Sequence, residues 1–419
     1  MRNIIVALLA RLLPLLVVVV LARSTSAASP KFQVLHAFAG GATDGSYPVP
    51  NLLLDRYGNL FGTTEEGGSL TDCYSLGCGT AFELSVRNGH WKENVLFDFS
   101  PTASGGLPNV AGTLVLDSRG NVYGTQNASG DPSCNCGSVY KLTRSGGVWT
   151  QTLLHNFTGG TTDGAYPYWG LVEDAAGNLY GATQSGGINT NYGTIFELTP
   201  NADGTWTYSL IYEFGTPGYT DAISPYGPLT IDASGTLYGA AISGGIYGYG
   251  AVFKLSQSGG SWAESVLFNF TLDYGATDYP NGLVVDAAGN LYGTTTSGGA
   301  YGVGTIYKLT PSVGFWNRTV LHTFTGGIDG AYPYGGLAID ASGVLYGTTY
   351  LGGSYGYGNV YKFQSVDGKW KQTLLHTFTN GKDGGRPVAG PILDQLGNVY
   401  GVAINGGAYG FGVAFEITP

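Results

Sequence analysis

The sequence predicts an all-β fold, a seven-bladed β-propeller, and three observations carry that prediction. One phrase returns seven times along the chain. All returns but the last are followed by two further strand-like runs. The run missing from the last repeat is found at the other end of the chain.

The phrase reads LLLDRYGNLFGTT at Leu52–Thr64, LVVDAAGNLYGTT at Leu283–Thr295 and, slightly altered, PILDQLGNVYGVA at Pro391–Ala403. Its Asp is Asp55, Asp117, Asp174, Asp232, Asp286, Asp340 and Asp394, at spacings of 62, 57, 58, 54, 54 and 54. A period of that length suits one propeller blade and exceeds that of helical repeats. Within a repeat, run A is the apolar stretch before the Asp, and run B follows the Asp-x-x-Gly turn. There the Gly can take positive φ and the Asp can accept backbone hydrogen bonds. Run C alternates, as in GTIYKLT (Gly304–Thr310), a half-buried strand pattern. Run D, Trp316–Phe324, ends in VLHTF. Four short antiparallel runs repeated seven times make a propeller.

Closure is an independent test. The last repeat stops at run C, Gly412–Thr418, while FQVLHAF at Phe32–Phe38 is an extra run D. The N-terminal strand should therefore complete blade seven and leave no open strand edge. The expected organisation is a signal peptide over residues 1–27 and one propeller domain over 28–419. Arg2 and Arg11, the apolar run Leu12–Ala22 and the small residues Thr25 and Ala27 give the export pattern. A retained anchor helix is the alternative. No later stretch is apolar for the 18 residues that a span needs.

Composition narrows the partners. Glycine is the commonest residue, at 71 copies, without a collagen period, and 13% aromatic residues argue against disorder. Cleavage after Ala27 would remove three Arg and no acid, leaving 15 basic against 28 acidic residues, a net of −13. Such a chain repels phosphate backbones, so nucleic acid is not an expected partner. A monomer is expected. The four cysteines read as local disulfides, Cys73–Cys78 and Cys134–Cys136, in the B–C loops of blades one and two. A zinc site is the alternative, but no His stands near them in sequence.

The phrases GxLYGTT, GGxYGxGTxYKLT and VLHxF together resemble the GloVer-type tandem repeat family of secreted bacterial proteins, over all seven repeats. The resemblance implies a bacterial, exported β-propeller. It implies no reaction and supplies no catalytic residue. Many such proteins carry a C-terminal surface anchor, whereas here Pro419 directly follows the last strand. Release into the medium or the periplasm is the expectation.

In four-stranded blades that begin with the inner strand, the D–A and B–C loops share one face. On that face the D–A loops read Asp-Gly-x-Tyr-Pro or a decayed form, with Asp44, Asp163, Asp221, Asp278, Asp329 and Asp383. Tyr side chains from both loop sets, Tyr226 and Tyr247 among them, join these acids. Flat rings suit the apolar side of a sugar and carboxylates accept from its hydroxyls, although repeated Tyr can equally pack between blades. Six tryptophans open run D (Trp91, Trp149, Trp206, Trp262, Trp316, Trp370) and read as structural. Trp169 breaks that register. It stands in the third D–A loop after Tyr166, Pro167 and Tyr168, with Asp163 before it and Tyr226 in the next such loop. Those five residues are the candidate ligand site.

Other residues point elsewhere. The seven turn Asp read as caps. His36, His155, His322 and His376 share a run-D position that Phe97, Tyr212 and Phe268 fill in other blades, which reads as packing. Run C carries one charge per blade, such as Glu83, Lys141 and Glu416, expected near the outer rim in pairs between blades. No nucleophile elbow, P-loop or metal-ligand motif occurs, so no catalytic residue, metal or cofactor is expected. The expected function is non-catalytic binding of a carbohydrate or similar polar ligand. The alternatives are a polysaccharide-acting enzyme that uses two loop carboxylates, and a structural or protein-interaction ring.

Overall fold

A computed structural model describes residues 29–68, 73, 76–100, 112–188, 192–215, 220–272 and 279–419. The expected signal peptide lies outside them, as do Asp278 and the second D–A loop, residues 101–111. Seven antiparallel sheets form a ring, each with strands A to D in order from one edge. Blade five shows the pattern: Pro280–Val285, Leu291–Thr295, Thr305–Ser312 and Phe315–Thr323. Among the described residues no helix is long and apolar enough to cross a membrane.

The ring closes as the sequence requires. In blade seven the strand Lys31–Ala37 pairs with Val413–Thr418, with Phe32 opposite Ile417 and Val34 opposite Phe415. The Phe38 N–H adds a bond to the Gly412 carbonyl at 3.0 Å. Leu35 and Phe38 then pack with Leu60 and Phe82 of blade one and Tyr400 of blade seven. The core is thus a set of clusters, several of which span neighbouring blades.

Local chemistry explains why the repeats look alike. Strand B is buried along its length in blades two, three, five, six and seven. Its central glycine is required because an aromatic ring from strand C lies over it: a Cβ on Gly293 would stand 2.6 Å from the Tyr307 hydroxyl. The turn Asp is a cap. Asp286 Oδ1 accepts the N–H groups of Ala288 and Asn290 at 2.9 Å, and its other oxygen accepts from Asn290 and Tyr292. The strand-D tryptophans are packing residues, since Trp206, Trp262 and Trp370 set their rings against Tyr123, Tyr180 and Tyr292 of the preceding blade. Both disulfides form as Cys73–Cys78 and Cys134–Cys136.

The strand-C charges depart from expectation. Four of the seven reach their own blade's strand-B tyrosine rather than a neighbouring blade: Glu197 and Glu416 accept from Tyr180 and Tyr400, and Lys141 and Lys308 lie over Tyr123 and Tyr292; Glu83, opposite Phe61, accepts from Asn94 of its own blade. The cause is register, because Tyr180 stands directly opposite Glu197 across the sheet.

Candidate functional site

The D–A loops are shaped by one backbone device. The residue before the loop proline has positive φ although it is not glycine: Tyr47, Tyr166, Ser224, Tyr279, Tyr332 and Arg386 lie between 37° and 63°. The residue before proline ordinarily avoids helical backbone, and positive φ costs a side chain free energy, so the neighbourhood must hold it. It does. The N–H groups of Tyr47, Tyr166, Ser224, Tyr332 and Arg386 donate to carbonyls in the preceding blade's B–C loop, at 2.7–2.9 Å. Tyr166 takes the carbonyl of Cys136, which ties the second disulfide loop to the third D–A loop.

The hook aims the residue after the proline inward. Val49, Tyr168, Tyr226, Tyr334 and Val388 all occupy that position and all line one cavity of about 350 Å³. Trp169 and Gly112 complete one side, and Tyr350 and Ile404 from B–C loops the other. Six blades contribute, which is geometrically possible only around the ring axis. Crevices of about 290, 490 and 450 Å³ lie on the opposite face between the turns of neighbouring blades. They follow from the repeat itself, whereas the axial cavity is lined where the repeat varies.

Trp169 sits there because its backbone is clamped. Its carbonyl accepts the Thr113 N–H at 3.1 Å, and the Leu171 N–H donates to the Thr113 carbonyl at 3.1 Å. The inner strands of blades two and three approach so closely that a Cβ on Gly170 would stand 2.1 Å from the Thr113 nitrogen. The indole leans on Tyr226 with centroids 4.3 Å apart and reaches Tyr168 at 5.8 Å. Burial and the neighbouring hydroxyls of Tyr334, Tyr168 and Tyr279 push the Tyr226 phenol above its usual range. Trp169, Tyr168 and Tyr226 are therefore brought together.

Tyr166 and Asp163 are not. Tyr166 serves the hook through its backbone, leaves its ring 37% exposed and does not line the cavity. Asp163 is buried inside its own loop, where it accepts from the Thr158 N–H at 2.8 Å, the Tyr208 hydroxyl at 2.7 Å and His155 Nε2 at 3.2 Å. Burial alone would raise this carboxyl, but the bonds from His155, Thr158 and Tyr208 outweigh it and hold it below the usual carboxylate range.

The same arrangement recurs, with His36, His322 and His376 donating to Asp44, Asp329 and Asp383 at 3.0–3.2 Å. Tyr212 does the same to Asp221. The five described loop acids therefore cap their loops instead of facing a ligand. Strand D bulges against strand C in every blade. The bulge falls between Val34 and His36 in blade seven, and the extra residue turns the histidine toward the loop. The sequence held a signal for it: a polar residue at the histidine position is followed seven to nine residues later by the loop Asp.

Two acids lie behind these pairs, on strand D of the following blade. Burial first, and the neighbouring Asp44 second, push Glu93 up to about 9. Burial and Asp221 push Glu264 up to about 8. Sequence reasoning also missed Tyr350 and Ile404, although they stand directly after the repeated phrase, at a position that varies widely: Glu65, Asn127, Gln184, Ile242 and Thr296 stand there elsewhere.

No curated protein sequence matches this chain. Among solved structures it is similar to a Mycobacterium tuberculosis puromycin-hydrolyzing peptidase, with TM-score 0.50, 10% identity, and 89% of this chain and 53% of that one covered. It also matches a putative 6-phosphogluconolactonase from Bacteroides uniformis (TM-score 0.49, 13% identity, 78% and 84% covered). A putative oxidoreductase (glucose dehydrogenase) from Thermus thermophilus gives TM-score 0.40, 16% identity, and 83% and 99% covered. At such identities the likeness concerns the fold alone. The Gloeobacter/Verrucomicrobia repeat model matches residues 21–222 and 202–415, and the chain belongs to that repeat family.

Proposed function

We propose that this propeller is a secreted, non-catalytic binding protein whose axial mouth takes a carbohydrate, or a ligand with a similar mixture of flat apolar and hydroxylated surface. The observation that carries the reading is the cavity of about 350 Å³ into which Tyr168, Trp169, Tyr226, Tyr334 and Tyr350 converge from three blades. Its size falls in the range of small-molecule sites. Aromatic faces cover the C–H side of a sugar ring, and tyrosine hydroxyls can donate to and accept from its hydroxyls. Tyr247, Tyr301, Tyr355 and Tyr409 on the B–C loops of blades four to seven are 55–63% exposed and could extend contact to a longer chain.

Two further observations support the proposal. The described loop acids are engaged in internal hydrogen bonds, which disfavours a hydrolase built on two of them. The disulfides fit an oxidising compartment.

The test is a glycan array probed with the purified protein, followed by Trp169→Ala. A retained glycan without product release is expected. Losing one stacking ring, worth about 1 kcal/mol, should weaken binding roughly five-fold. Released product would instead support an enzyme. Unchanged affinity in Trp169→Ala, or no retained glycan, would overturn the axial carbohydrate site.

A further inference from the structure

We propose that the seam where the ring closes is a binding site for a zinc-type divalent cation, held by His36, Asp44 and Glu93. Among the described residues these three form a cluster whose ligand atoms all lie within 4.8 Å of one another. His36 and Asp44 come from the closing strand and the loop that follows it, and Glu93 from strand D of blade one. The His36 Nε2 stands 3.1 Å from Asp44 Oδ1 and 3.7 Å from Glu93 Oε2. Two ligand atoms about 2.1 Å from a tetrahedral zinc stand roughly 3.4 Å apart, so these separations bracket the geometry. One imidazole with two carboxylates suits zinc better than calcium, which wants six to eight oxygens.

The second observation comes from Glu93 itself. Its side chain is only 8% exposed, and its Oε1 is buried without a hydrogen-bond partner among the described residues. Two carboxyl groups buried side by side are costly to ionise together, and here they share the seam with a histidine. A cation answers all three groups at once.

The other seams show what is particular here. At Glu93's repeat position, four residues before the histidine position, stand Gln151, Tyr208, Glu264, Arg318, Gln372 and Phe32. The residues they face are Phe97, His155, Tyr212, Phe268, His322 and His376. Only His36 with Glu93 combines an imidazole and a carboxylate across a seam. At the nearest parallel, Glu264 and Asp221 face Tyr212, whose phenol is a poor ligand at neutral pH.

These parallels also supply variants that should fold. Phenylalanine fills the His36 position in blades one and four, and glutamine fills the Glu93 position in blades two and six. Tag-free, chelator-treated protein would be titrated with ZnCl2 by calorimetry, and its melting followed with and without the ion. One zinc per chain is expected, with a melting temperature that rises with zinc concentration. His36→Phe and Glu93→Gln should each weaken binding at least ten-fold, and Glu264→Gln should leave it unchanged. Cobalt(II) should give a tetrahedral visible spectrum in the parent protein and lose it in His36→Phe. Absence of zinc binding below about 1 mM, or binding that both seam variants retain, would overturn the proposal.

Discussion

Six tryptophans in this ring open strand D, and a seventh hangs at the axis; the two environments separate what the fold needs from what it leaves free. Trp370 is stacked on Phe363, with centroids 5.4 Å apart, and set edge-on to Tyr292 of the blade before it. Five other blades repeat the position, so six of the seven seams share the same filler. Trp169 instead occupies a position where its counterparts are Gly227, Gly282, Gly335 and Ala389. Those blades close without a ring there, so packing symmetry does not require one. Repetition marks structure, and its interruption on the axial face marks the candidate site.

The comparison can be broken at several points. The largest effect should come from the seam that holds every other in register. Deleting residues 31–38 exposes a strand-C edge and the apolar surface under Leu35 and Phe38, and should give aggregation or a melting temperature lower by on the order of 10 °C. A monomer with unchanged melting would contradict closure by strand exchange.

Next comes the tryptophan pair. Trp370→Ala should cost about 2 kcal/mol in denaturant unfolding, less than for a fully buried ring because Trp370 is only half-buried. Trp169→Ala should cost under about 1 kcal/mol, since its cavity is open on one side. Equal losses would return Trp169 to the packing class.

A smaller effect concerns Glu264, which faces Asp221 while the Tyr212 hydroxyl donates to that same aspartate. Its folded value is raised to about 8, so the fold favours the protonated acid. That contribution is present below the unfolded value near 4.3 and is lost as pH rises through about 8. Glu264→Gln should therefore shrink the alkaline decline of the melting temperature, raising it by about 1–3 °C at pH 8 and little at pH 4. A parallel shift at all pH values would mean that the glutamine acts by packing alone.

The smallest effect should be reduction of the disulfides. Loops of six and three residues gain little from closure, so the loss should stay under about 2 kcal/mol. Because Tyr166 is bonded to Cys136, reduction should disturb hydrogen exchange in the third D–A loop more than in the fifth.

The ring was legible in the sequence because a blade writes its requirements in short phrases: an Asp that caps a turn, a glycine under a ring, a proline after a hooked tyrosine. Closure was legible because the extra strand at Phe32–Phe38 matched the one missing after Thr418. Three of the five candidate residues, Tyr168, Trp169 and Tyr226, line the axial cavity and stand out in the sequence for the opposite reason, as departures from the phrase. Asp163 was misplaced because a bulge changes which way a strand points without changing which residues compose it. Val49, Val388 and Ile404 were missed because aliphatic residues carry no chemical label, and only the convergence of six blades gives them a common place.

Near-identical repeats face a hazard that dissimilar domains avoid: any blade could dock against any other, within one chain or between two. The position four residues before the histidine answers it. Across the seven seams the facing residues are His and Glu, Phe and Gln, His and Tyr, Tyr and Glu, Phe and Arg, His and Gln, and His and Phe, with no combination used twice. Several are direct contacts, such as His155 stacked on Tyr208 at 3.6 Å, Arg318 over Phe268 at 5.5 Å and Phe32 on His376 at 3.7 Å. A blade out of sequence would set Arg318 against a histidine or strand Glu264 against a phenylalanine. The seams thus differ in contact chemistry, and that difference biases near-identical copies toward assembling in a single order.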